Sequence, residues 1–514
     1  RQEAAYLFQE SLKNDEKNPF FHWAIAYCHG ADYNMYGAAY KSLRTTPEWP
    51  SLEVAKKHSE DAVKYANTDD EWYPVYSALA LRYKTKSIEE YVEALDQTVT
   101  KSMNCDIIAI HAEAHMLLEP WSLLDRKTMK RSANAKIVQE ILDKGLKICP
   151  KHQWLCHLKI HYCEMGPSSQ FDMNVLAPLE TSLHGHLRHM PTHIYIQKGE
   201  YIKSMNLNME AVELDASARK SSISPLHLYS FYECHNIHFV IFAACMSGNR
   251  TIALKYADIL TQFVLLGIQE SNPIADAMCE AFLMMEPMVY IRFGMWEDLK
   301  NMKHVNEKTS RLFVTYGKSI AYSATGDLEN AKKMMEEFEK LATTFPKEHR
   351  LHNETVYNIS RVALQILKAE YQYRANDNEW ELSMRNAIRI EDSLVYDEPP
   401  PWMMPARQTM GALQNESENT MSAIANFASD LEKWPKNVWS MAGLNAALKK
   451  INIVVENKKV QKYTDSNITT GCACATTHWN TKTIDREVSK NMALVKIATA
   501  FGIMTYLIVQ TARK

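Results

Sequence analysis

From Glu3 to about Lys450 the apolar residues recur with the ~3.6-residue period of amphipathic helices, and Gly and Pro interrupt the pattern at short intervals. The breaks fall at Asn18-Pro19, Pro47 to Pro50, Cys149-Pro150, Gly166-Pro167, Gly199, Gly248, Gly326, Pro346, Pro399 to Pro401 and Trp434-Pro435. No stretch alternates apolar and polar residues with period two for long enough to require a sheet. Helices of this length bury their apolar faces only by stacking on their neighbours, so the pattern predicts an all-α solenoid of helix hairpins. Glycine supports it: 15 of 514 residues, where an average chain has ~7%. The 26 methionines, together with abundant Ala, Leu, Glu and Lys, favour helix everywhere between the breaks.

Individual units share a finer layout. His193 to Tyr201 continues to Ala211 and Asp215; Ser319 to Leu328 continues to Ala331; Cys245 to Gly248 continues to Ala253; Gly411 to Leu413 continues to Ala423, Phe427 and Pro435. In each, an apolar first helix meets a Gly turn, and a small residue early in the second helix allows close approach. That is the layout of the tetratricopeptide repeat (TPR), and it predicts a right-handed superhelix over residues 1–450. Residues 451–480 then form a segment able to fold back on the groove, and 481–514 a tail with an apolar helix.

The stretch from about Asn18 to Trp479 resembles a family of long TPR proteins, mostly bacterial-type and uncharacterised. The segments that carry the likeness are Trp23 to Gly30 with Tyr33-Asn34; Ala112-Glu113-Ala114 with Pro120-Trp121; His157 to His161 with Glu164; His189 to Tyr195 with Gly199 and Tyr201; His235 to Phe239; Arg292-Phe293-Gly294 with Trp296; Tyr396 to Trp402; and Asn437 to Ser440 with Gly443-Leu444. The resemblance implies a TPR superhelix and no particular reaction. His111 and His115 depart from the family pattern, which has apolar or Tyr residues there.

Ten of the nineteen histidines lie between His152 and His238, and six of them form helical pairs: His157/His161, His189/His193 and His235/His238. The i, i+4 and i, i+3 spacings place both rings of a pair on one helix face, and histidine is the commonest metal ligand near neutral pH. The Gly-turn registers put each pair on a first helix of its hairpin, facing the concave groove. Glu164 continues the His157/His161 stripe, as ligand or proton acceptor, and His29 and Glu113 are further contributors from earlier repeats, Glu113 as a catalytic carboxylate. Burying so many imidazoles without partners costs roughly 1–3 kcal/mol each, and metal coordination removes that cost. Cys472 and Cys474, with His478 four residues on, form a second candidate set whose thiolates select soft ions.

These ligands favour copper, with zinc or iron compatible, and the expectation is a metal-dependent oxidoreductase acting on a small molecule in the groove. A single zinc with an open position suits hydrolysis instead. The alternative from another class is a membrane-anchored TPR adaptor that binds a partner peptide in the same groove. His111-Ala-Glu-Ala-His115 resembles a zinc-protease motif only superficially, because its Glu points off the shared His face. No P-loop, dinucleotide-binding Gly pattern or nucleophile elbow is present. A net charge of −3 leaves no basic field for nucleic acid.

Two further features bear on organisation. The ten cysteines are scattered and do not read as a disulfide framework. Met492 to Ala512 carries one charge, Lys496, in 21 residues; at ~20 apolar residues per span it predicts a C-terminal membrane anchor.

Overall fold

A computed structural model describes residues 1–34, 51–167, 171–220, 229–269 and 279–451. Cys472, Cys474, His478 and the apolar segment 492–512 lie outside the described residues. Among the described residues, no helix is long and apolar enough to cross a membrane. The described chain is all-α, with two short antiparallel hairpins as its sheet content: Leu124–Asp125 with Lys130–Arg131, and Arg350–Leu351 with Glu354–Thr355.

The chain divides into two compact units, where its periodicity reads as one array. The first comprises residues 1–194 and 213–228, the second residues 195–212 and 229 onward. The first unit contains α1 (Gln2–Leu12), α2 (Pro19–Cys28), α3 (Leu52–Tyr65), α4 (Tyr73–Thr85), α5 (Ile88–Thr98), α6 (Cys105–Met116), α7 (Ala133–Ile148), α8 (Gln153–Glu164), α9 (Ala177–Glu180) and α10 (Gly185–His189); α11 (Pro191–Gln197) starts in it. From α1 to α9 each helix packs on the next one described.

The starts of these helices are written in the sequence. Asn18 accepts hydrogen bonds from the amides of Phe20 and Phe21, with Pro19 at the first helical position, where its missing N–H costs nothing. Ser87, Asn104 and Ser132 cap α5, α6 and α7 in the same way. His152 caps α8, its Nδ1 accepting from the Leu155 amide at 3.3 Å, so the first histidine of the rich stretch serves the backbone. Pro191 opens α11, which resolves its role as a helix start.

One core of this unit gathers Trp23, Tyr76, Leu79, Tyr91, Leu95 and Ile110; a second gathers Ile108, Leu142, Leu155, Leu158 and Tyr162. Helix α8 therefore has two buried faces. Leu155, Leu158 and Tyr162 face the core, and His157, His161 and Glu164 form the other stripe. Cys105 and Cys149 are joined by a disulfide that ties the start of α6 to the end of α7. The scattered cysteines thus include one pair, brought together across 44 residues of sequence.

The second unit continues as hairpins, with its largest core formed by Phe239, Phe242, Phe282, Phe313, Tyr316, Phe338, Trp402 and Trp439. Trp402 is buried, its ring 5.5 Å from that of Tyr316. The Pro-rich run before it is therefore a connection anchored by its Trp. Gly199, at φ +70°, adopts a left-handed turn, and a Cβ there would meet the Pro435 carbonyl oxygen. Asp430 is buried and accepts from Gln408, Asn437 and Ser440.

Candidate functional site

Helix α8 carries the site's first three groups. Its His157, His161 and Glu164 share one stripe, as their 4-then-3 spacing predicts. Glu164 is fully buried. Its Oε1 accepts from His161 Nδ1 at 2.7 Å, and its Oε2 stands 3.1 Å from His193 Nδ1. The carboxylate thus orients the His161 ring and lies at ion-pair distance from the His193 ring. With Nδ1 donating, Nε2 of His161 presents a lone pair, the arrangement by which a carboxylate fixes a metal-ligating histidine.

Those Nε2 atoms meet further imidazoles. His161 Nε2 lies 3.0 Å from His157 Nε2, which lies 3.2 Å from His186 Nε2. His186 Nε2 is in turn 3.3 Å from Asn34 Nδ2. The second pair repeats the contact, with His189 Nε2 2.8 Å from His193 Nε2. Ligand atoms of His157, His161 and His186 all lie within 4.8 Å of one another. Around a tetrahedral ion with Zn–N near 2.0–2.1 Å, neighbouring nitrogens are about 3.3 Å apart, so the observed spacing fits three ligands of one ion.

The electrostatics push the same way. Burial holds the His157 and His186 imidazoles well below their ordinary pKa, and neighbouring histidines add to the effect: His161 on His157, and His157 on His186. Neutral rings are the ligand form of histidine. They are also poor partners for each other here. A ring nitrogen carries one proton or one lone pair, so His157 Nε2 satisfies its two Nε2 neighbours only by splitting a single proton between them. A cation at the centre accepts three lone pairs at once.

Aromatic rings close the site. Tyr33 and Trp121 stack on each other at 5.0 Å between centroids and contact the His161 ring at 5.3 and 5.5 Å. Burial, then the charge of Glu164, raises the Tyr33 phenol above its usual range. Gly185 opens α10 beside Asp215: a Cβ at this position would lie 1.8 Å from Asp215 Oδ1. Only glycine lets the helix bearing His186 and His189 come this close.

His235 and His238 belong to the second unit, on the helix Tyr229–Ser247. His235 packs its ring on Phe231 and Phe239. His238 lies 6.0 Å from His352 and 5.6 Å from Phe282 between ring centroids. His29 is buried with Nδ1 accepting from the Ser51 amide at 2.9 Å, which spends that nitrogen on the backbone. Glu113 belongs to a different buried network: Tyr27 donates to its Oε2, the Tyr33 amide to its Oε1, and Arg1 Nη2 is 3.6 Å away. Two residues after His111, it points off the His face of α6, as its spacing requires.

His186 was absent from the sequence-derived pairs and completes the triad. Its i, i+3 spacing to His189 was the available signal; the short helix Gly185–His189 that realises it was not readable beside Pro191.

No protein-family model matches this chain, and no curated protein does. Two solved structures of monomeric mutants of IFIT1, one with m7Gppp-AAAA and one with Gppp-AAAA, are similar at 12% identity. Each alignment covers 90% of this chain and 94% or 95% of the other, with TM-scores of 0.33 and 0.35. These values describe a distant likeness and no more.

Proposed function

We propose that this protein is a metal-dependent enzyme whose metal ion is held in the first unit by Nε2 of His157, His161 and His186. The observation that carries the proposal is the convergence of three Nε2 atoms at 3.0 and 3.2 Å, one of them, on the buried His161, set in its tautomer by Glu164. Three protein ligands leave a fourth position for water or substrate, the pattern of catalytic rather than structural zinc. His189 and His193, the latter sharing Glu164, supply two more imidazoles on the adjoining helices for a second ion or for proton transfer. All-imidazole ligation suits copper, zinc or iron. Copper or iron would support oxidation of a small molecule; zinc would supply an activated water at neutral pH.

The test is elemental analysis of untagged protein beside His157→Ala/His161→Ala. Stoichiometric copper, zinc or iron that disappears in the variant supports the proposal, and the element chooses between redox and hydrolytic chemistry. A folded protein that holds no metal after reconstitution overturns it, leaving a helix-hairpin adaptor that binds a partner peptide as the better account.

A further inference from the structure

A second set of ligands stands in the same unit, built from residues whose sequence spacing gave them no role. His111 and His115 lie one turn apart on α6, both buried, with rings 5.1 Å apart. Asp96, on α5, reaches them from the side: its Oδ1 is 2.6 Å from His111 Nε2 and 2.9 Å from His115 Nε2. All three ligand atoms lie within 4.8 Å of one another. The carboxylate is 43% exposed while the two rings are nearly closed off, so the group opens to solvent on the Asp96 side.

Asn134 orients the His115 ring toward Asp96. Asn134, on α7, donates from Nδ2 to the His115 carbonyl oxygen at 2.8 Å, which fixes its amide orientation. Its Oδ1 then accepts from His115 Nδ1 at 2.8 Å. This bond aims His115 Nε2 at the Asp96 carboxylate, 2.9 Å away. The Nε2 then faces the Asp96 carboxylate either as the second N–H of an imidazolium or as a lone pair that a bound cation can take. The disulfide between Cys105 and Cys149 ties α6 to α7 and so holds the His pair against its Asn134 support.

We infer that Asp96, His111 and His115 form a second metal site, which takes a zinc-class divalent cation through one carboxylate oxygen and two Nε2 atoms. Asn134 is its positioning residue. Two imidazoles and one carboxylate on one side of the ion leave the remaining positions to water. The site shares no residue with the His157 cluster and stands or falls independently of it.

The experiment is zinc titration of the full-length apo protein by calorimetry, with stoichiometry read by native mass spectrometry. Asp96→Asn leaves the buried rings in place and is expected to lose one zinc equivalent, or to bind it at least tenfold more weakly. His157→Ala/His161→Ala is expected to retain that equivalent. Asn134→Leu, which removes the hydrogen bond to His115 Nδ1, should weaken the same equivalent while circular dichroism stays unchanged. An Asp96→Asn isotherm and stoichiometry that superimpose on wild type overturn the inference, as does a wild-type protein that binds no zinc. If the His157 variant loses every equivalent while Asp96→Asn loses none, only the cluster of the proposed function remains.

Discussion

Replacing Glu164 by Gln changes one atom of the cluster and should weaken metal binding by a calculable amount. The carboxylate is fully buried, accepts from His161 Nδ1 at 2.7 Å and has its second oxygen 3.1 Å from His193 Nδ1. Glutamine has the same shape but one acceptor. Where its NH2 faces His161 Nδ1, that ring reverses its tautomer and moves its proton to Nε2, the atom that points into the cluster. Loss of such a carboxylate partner typically costs 10–100-fold in metal affinity, about 1.4–2.8 kcal/mol at 1.4 kcal/mol per tenfold. The effect on the metal-free fold should be smaller, because removing a buried charge offsets part of the lost hydrogen bonding. Competition against a chromophoric chelator measures the affinity, and circular dichroism reports the fold. A folded Glu164→Gln protein that binds zinc or copper as tightly as wild type would refute the orienting role of Glu164 and, with it, the argument from tautomers.

Two other outcomes follow from the same packing. Gly185→Ala places a methyl group on the Asp215 carboxylate, so α10 or Asp215 must shift; thermal denaturation should show about 1–3 kcal/mol of lost stability, and the His186 contribution to metal binding should fall with it. The acid response has a definite sign. Burial lowers His29 from 6.5 to about 4, so below pH 6.5 the unfolded chain takes up this proton first. Stability that is intact above pH 6.5 is lost as pH falls to about 4, by about 3 kcal/mol from this residue at 1.36 kcal/mol per unit. Urea denaturation at pH 7 and pH 4.5 should show a smaller difference in His29→Asn than in wild type; an equal difference removes His29 from the acid response.

Helix content, helix starts and hairpin spacing were legible in the chain because they depend on local chemistry. Asn18-Pro19, Ser87, Asn104 and Ser132 cap helices through side chains two or three residues from the amides they serve, and the 3.6-residue period puts His157, His161 and Glu164 on one stripe whatever lies opposite. Which stripes meet is decided by packing between helices distant in sequence. His186 reaches His157 across 29 residues, and Asp96 reaches His111 and His115 across 15 and 19. Asp96 has no spacing that advertises it, and His111 and His115 were readable as a pair but not as a pair with a carboxylate. Cys105 and Cys149, likewise, look like two isolated helix cysteines until α6 and α7 lie side by side. The sequence by itself therefore determined an all-α chain of hairpins and the helix faces that carry imidazoles. Tertiary structure alone decided which faces converge, because the contacts that join them are set by how the cores of Leu155, Leu158 and their neighbours stack.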